Sequence, residues 1–141
     1  MNNVLVPIDG SPAALRALAY VLRELRNRPD VPVHLLNVQA PLLHPWPGKL
    51  VSPDMIEAEL RGEGGQILAQ AEAMAQTVGV TCVPHVSIGA AAEEIASYAA
   101  KHGCDAIVMG TRGMGAVGSL VMGSVAQKVV HLVRAPVTLV K

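Results

Sequence analysis

The feature that most constrains this chain is the regular alternation of short apolar runs with segments of helical period. Asn3–Ile8 (NVLVPI) is too short to be a helix, and Asp9-Gly10-Ser11-Pro12 follows it at once. Ser11 suits a helix N-cap and Pro12 the first helical position. Leu15, Leu18, Leu22 and Leu25 then recur on one face of an amphipathic helix that Pro29 stops. Val31–Val38 reads as a second strand, and a helix is expected from about Pro53 to Val78. Val80–Val86, Ala106–Met109 and Pro136–Val140 read as further strands, with helices over Ala90–Lys101 and Ser124–Val133. Strands that are apolar rather than alternating, separated by helices, mean a parallel sheet covered on both faces. Right-handed crossovers make most of the remaining topologies doubly wound, with ligands outside the carboxyl ends of the strands.

Some segments fit that scheme less easily. Residues 39–53 are rich in Pro, hold His44 and Trp46, and read as an irregular connection or a surface lid. Gly62, Gly64 and Gly65 lie inside the second helical segment, each at a cost of up to about 1 kcal/mol relative to Ala. Either the helix breaks there or another element packs very close. No repeat or linker is evident, so residues 1–141 are expected to form one domain.

Eleven basic residues balance eleven acidic ones, which argues against a general nucleic-acid binder or a polybasic membrane module. The balance is uneven along the chain. Residues 1–105 carry a net −4, whereas residues 106–141 hold Arg112, Lys128, Arg134 and Lys141 with no carboxylate. No apolar run approaches the length needed to span a bilayer. MNNVLVPIDG lacks the basic start and long apolar stretch of a leader, so a cytoplasmic protein is expected. Cys82 and Cys104 are too few and too far apart for a scaffold or a metal pair, and read as reduced thiols.

The basic segment contains the clearest candidate site. Gly110, Gly113, Gly115, Gly118 and Gly123 fall within 14 residues. They leave backbone amides open and so can form an anion-holding nest. The stretch runs into a helix start, where free amides and the helix dipole attract phosphate. Ser124 also begins a capping box with Gln127, so its hydroxyl could cap the helix, touch a ligand, or do both. No Walker loop is present. Gly113-Met-Gly115-Ala-Val-Gly118 matches a dinucleotide fingerprint by accident, because no acidic residue follows Asp105 to hold a ribose. Nor is there a nucleophile elbow or a zinc-ligand spacing among His34, His44, His85, His102 and His131. Glu93 and Glu94 suit a helix start. Asp9, beside Gly10 at the ligand edge, fits an Asx turn or a contact to ribose, phosphate or Mg²⁺.

With these residues in view, the chain resembles the universal stress protein family. The likeness runs from VLVPIDGSPAALRAL at the start to GTRGMGAVGSLVMGSVAQKVVHLVRAPVTLVK at the end. Gly110, Gly113, Gly123 and Ser124 keep the spacing of that family's ATP-binding branch. The resemblance implies an α/β, doubly wound five-stranded parallel sheet of order 3-2-1-4-5, a three-layer sandwich like the adenine-nucleotide α-hydrolases. It implies that Gly110, Gly113, Gly123, Ser124 and the amide of Val125 hold ribose and phosphates. Pro7 and Asp9 would line the nucleotide, Asp9 facing it or its Mg²⁺, and the main chain near Val38 would read the adenine edge. ATP or another adenine nucleotide would be the ligand, in a stress-response regulator that forms homodimers through Pro136–Lys141. Slow ATP hydrolysis or autophosphorylation, or a nucleotide-free scaffold, are the competing readings. Gly118 within the spacer and Ala90-Ala91-Ala92 after Gly89 depart from the family's usual pattern.

Overall fold

A computed structural model describes residues 1–41, 52–112 and 122–141. The elements are β1 (Val4–Pro7), α1 (Pro12–Glu24), β2 (Val33–Gln39), α2 (Pro53–Gln76), β3 (Cys82–Ile88), α3 (Ala91–Lys101), β4 (Ala106–Gly110), α4 (Ser124–Leu132) and β5 (Val137–Val140). The five strands form one parallel sheet of order β3-β2-β1-β4-β5. This is the doubly wound sheet that the alternation of strand and helix demands. Among the described residues, no helix is long and apolar enough to cross a membrane. The segment 42–51, with His44 and Trp46, lies outside the described residues.

Side chains of alternate strand residues feed two cores. Val4, Val6, Leu35 and Val108 pack against Leu18 and Val21 of α1 and Leu68 and Ala71 of α2. Leu5, Leu36, Ile107 and Met109 pack on the other face against Ile95 and Ala99 of α3 and Ala126 and Val129 of α4. The helices after β1 and β2 therefore cover one face, and those after β3 and β4 cover the other.

Helix α1 starts as its sequence requires. The Ser11 hydroxyl accepts the Ala14 amide at 3.2 Å, and Pro12 takes the first helical position. It stops at Glu24, short of Pro29, because the buried Leu25 leaves helical geometry (ψ 9°) and anchors the turn. Helix α2 runs unbroken through its three glycines, and close packing explains one of them. A Cβ on Gly64 would lie 2.7 Å from Asn37 Oδ1 and 2.7 Å from Val86 Cγ1, whereas Gly62 and Gly65 face open space.

Strand β3 is one edge of the sheet. Gly89 N–H donates to Gln39 C=O, so the odd-numbered residues of β3 direct their amides to β2. Pro84, between them, would have faced outward and removes no ladder bond. Arg61 donates to the outward carbonyl of Val86 at 2.9 Å, covering part of that edge. Both thiols are free. Cys104 is buried, and burial, with Glu72 adding to it, pushes the half-buried Cys82 thiol up to about 11. Neither thiol has the lowered pKa of a reactive cysteine.

Candidate binding site at the carboxyl edge

Because α1 leaves β1 toward one face and α4 leaves β4 toward the other, the neighbouring strands β1 and β4 form the switch point of the sheet. A crevice opens there by topology alone. On the β1 side, Asp9 Oδ1 accepts the Ser11 amide at 2.9 Å, the Asx turn its position suggested. Gly10 makes the turn possible, since its φ of +86° is a left-handed conformation that disfavours a side chain. Asp9 is exposed at this edge, and Pro7, the last residue of β1, is half-buried opposite Leu36.

On the β4 side, Gly110 ends the strand against the first turn of α1. A Cβ there would lie 2.8 Å from Ala13 Cβ and 2.9 Å from the Ala13 carbonyl carbon, so the position has no space for any other residue. Thr111 N–H extends the β4–β5 ladder by donating to Val140 C=O. Gly123 N–H donates to Thr111 C=O at 2.6 Å, which brings the two ends of the glycine-rich segment together. Gly113, Gly115 and Gly118 fall outside the described residues. Arg112, half-buried, is the last described residue before them.

The start of α4 corrects one expectation. Ser124 is not the N-cap. Gly123 takes that position in extended geometry (φ −61°, ψ 154°), and no side chain caps the helix. Gln127 does not close a capping box either, since its Nε2 donates to Met122 C=O at 3.0 Å. Ser124 and Val125 are exposed in the first turn, where backbone amides have no acceptor within the helix. Uncapped amides, the positive end of the helix dipole and Arg112 make this edge suited to an anion.

Val38 lies near the end of β2, half-buried and in register with Ser87 of β3. Beside it is a polar group that the sequence reading passed over. Asn37 is only 2% exposed. Its Nδ2 donates to Ile8 C=O at 2.9 Å, and its Oδ1 accepts from Gln39 Nε2 at 2.7 Å. An amide in the run Val31–Val38, which is apolar but for His34 and Asn37, at the ligand end of a strand, was the signal available. Farther along this edge, Lys128 and Glu93 form a surface ion pair at 2.9 Å that links α4 to α3 and lowers the Glu93 pKa. Among the described residues, no group of three His, Cys, Asp or Glu side chains is placed to hold a metal ion.

A doubly wound sheet of this order, with a glycine-flanked helix start at its switch point, defines a class of small α/β proteins. Within that class, the model of the universal stress protein family matches residues 1–141, and the chain belongs to that family. A universal stress protein of Thermus aquaticus is 41% identical, covering 99% of this chain and 98% of that one. Among solved structures, the universal stress protein from Archaeoglobus fulgidus in complex with dAMP is 26% identical with a TM-score of 0.67, covering 100% of this chain and 98% of that chain. An Arabidopsis thaliana family member with AMP bound shares the fold at 21% identity and a TM-score of 0.72, covering 100% of this chain and 92% of that chain.

Proposed function

We propose that this protein binds an adenine nucleotide, ATP in the first instance, at the carboxyl edge of its sheet and acts as a stress-response regulator. It would act through nucleotide-dependent conformation and the surface that partners meet. The observation that carries the reading is the Gly110, Gly113, Gly123, Ser124 spacing, whose described ends are joined by the Thr111–Gly123 hydrogen bond beside the switch point. The bound nucleotides of the Archaeoglobus fulgidus and Arabidopsis thaliana relatives support it.

In this reading Gly110, Gly113, Gly123, Ser124 and the Val125 amide hold ribose and phosphates. Pro7 and Asp9 line the opposite wall, and the Val38 main chain meets the base. Asp9 would face the nucleotide or its Mg²⁺, a hydrated ion commonly held by one or two carboxylates together with substrate phosphates. Heat-released nucleotide from the purified protein, identified by chromatography, is expected to be adenine-based. Calorimetric titration of Mg-ATP should give saturable heat for the wild type and little for Gly113→Val. A wild type that carries no nucleotide and gives no heat would overturn the reading.

The same reading includes a homodimer through Pro136–Lys141. Ile107 donates to Pro136 C=O and Thr111 to Val140 C=O. Val137 and Leu139 therefore direct their backbone groups to the open edge, which is a template for pairing. Light scattering should return twice the 14.7 kDa chain mass. A chain mass of one would contradict it.

A further inference from the structure

Along β2, backbone groups alternate between its two neighbours. Leu36 C=O accepts from Ile8 N–H on the β1 side, and Gln39 C=O accepts from Gly89 N–H on the β3 side. Val38, two residues after Leu36, therefore presents its N–H and C=O toward β1. In a continued parallel ladder the Val38 amide would donate to Ile8 C=O. It does not: the registered pairs end at Pro7 and Leu36, and the Asn37 side chain holds the Ile8 carbonyl instead.

The replacement is built firmly. Asn37 is buried, and its amide orientation is set at both ends, by Ile8 C=O and by Gln39 Nε2. Gly64 of α2 leaves the space for it, since a Cβ there would lie 2.7 Å from Asn37 Oδ1. The chain thus uses a side chain to end a backbone ladder one bond early, beside the crevice.

We propose that Asn37 is a positioning residue for base recognition: by taking the Ile8 carbonyl, it keeps the Val38 N–H and C=O available as a donor–acceptor pair. Such a pair matches an adenine edge, which offers a ring-nitrogen acceptor next to an amino donor. It mismatches guanine, whose corresponding edge places an acceptor oxygen where adenine has the donor. The inference rests on the nucleotide reading above, in which the Val38 main chain meets the base, and adds which side chain keeps that main chain open.

The test uses AMP and GMP as probes and backbone amide exchange as a second readout. In the nucleotide-free wild type, the Val38 amide should exchange much faster than those of Leu36 and Gln39, and AMP should slow it. Asn37→Val lets Val38 close the ladder onto Ile8. Its Val38 amide should become protected without nucleotide, its AMP affinity should fall about tenfold or more, and its preference for AMP over GMP should shrink. Wild-type Val38 protected as strongly as Leu36 without nucleotide would overturn the inference. So would AMP binding by Asn37→Val with an unchanged AMP-to-GMP ratio. Failure of the wild type to bind AMP would instead overturn the functional reading on which it rests.

Discussion

Strand β2 carries a buried polar side chain near each end, and the two do different work. His34, near the amino end, faces α3, whereas Asn37, three residues on, faces α2. Each stitches β2 to a residue just outside β1: His34 to Asn3 before it, Asn37 to Ile8 after it. The Asn3 amide shows how the first stitch is wired. Its Nδ2 donates to His102 C=O at 2.8 Å and Gly103 C=O at 3.2 Å, so its Oδ1 faces His34 Nε2 at 2.9 Å. His34 Nε2 must then carry the hydrogen, and Tyr98 O–H donates to His34 Nδ1 at 2.8 Å. That wiring needs a neutral imidazole. Tyr98 also stacks on His102, with ring centroids 3.9 Å apart, and His85 lies 5.3 Å from Tyr98. The amino-end stitch is therefore titratable and distant from the ligand edge. The carboxyl-end stitch cannot titrate, and it borders the site.

This contrast is exposed to four perturbations. The largest effect is expected from Gly64→Ala, which crowds Asn37 and Val86. The clash should outweigh the gain in helix propensity and destabilise by about 2 kcal/mol in urea unfolding, with AMP binding weakened as well. Tyr98→Phe leaves His34 Nδ1 without its donor and should cost about 1 kcal/mol. AMP binding should be unchanged by it, and an equal loss of nucleotide affinity would dissolve the distinction between the two ends.

Acid should act through the His34 stitch and the neighbouring His85, and not through the uncharged Asn37 stitch. Burial, with the nearby His102 adding to it, lowers the His34 pKa below its ordinary 6.5. Burial lowers that of His85 too, with His102, Arg61 and Lys101 acting in the same direction and Glu94 against them. The unfolded chain then binds more protons than the folded one in this range. Stability should hold above about pH 6.5 and decline as the pH drops below it through the folded values. Melting temperatures should fall by a few degrees between pH 7.5 and 5.5, and less so in His34→Gln. The smallest effects should come from Gly62→Ala and Gly65→Ala. Both sites face open space, so each should stabilise by up to about 1 kcal/mol with no change in AMP affinity.

How far the molecule could be read from its sequence depends on whether the relevant physics is local. The β1–α1 turn is local: Asp9, Gly10, Ser11 and Pro12 each have a residue-specific reason for their position, and the turn forms as those reasons require. Apolar runs and helical periods were sufficient to expect the layered parallel sheet. The order of its strands came from resemblance, since hydrophobic pattern does not rank strands. Ser124 failed as a cap because the same local motif allows two registers, and the chain uses Gly123. Asn37 and Gly64 were illegible as a pair. They are distant in sequence and acquire meaning only when α2 is laid on β2. Gly110 appeared as a ligand-holding glycine, and its contact with Ala13 adds a packing reason that only the tertiary structure reveals.

The central claim is that the carboxyl edge, and not the stitched amino edge, receives an adenine nucleotide. Backbone amide spectra recorded while AMP is titrated into the wild type test it most directly. The account predicts shifts at Asp9–Ser11, Val38, Gly110–Arg112 and Ser124–Val125, with Asn3, His102 and Asp105 unmoved. An unchanged spectrum, or shifts centred on Asn3, His102 and Asp105, would contradict it.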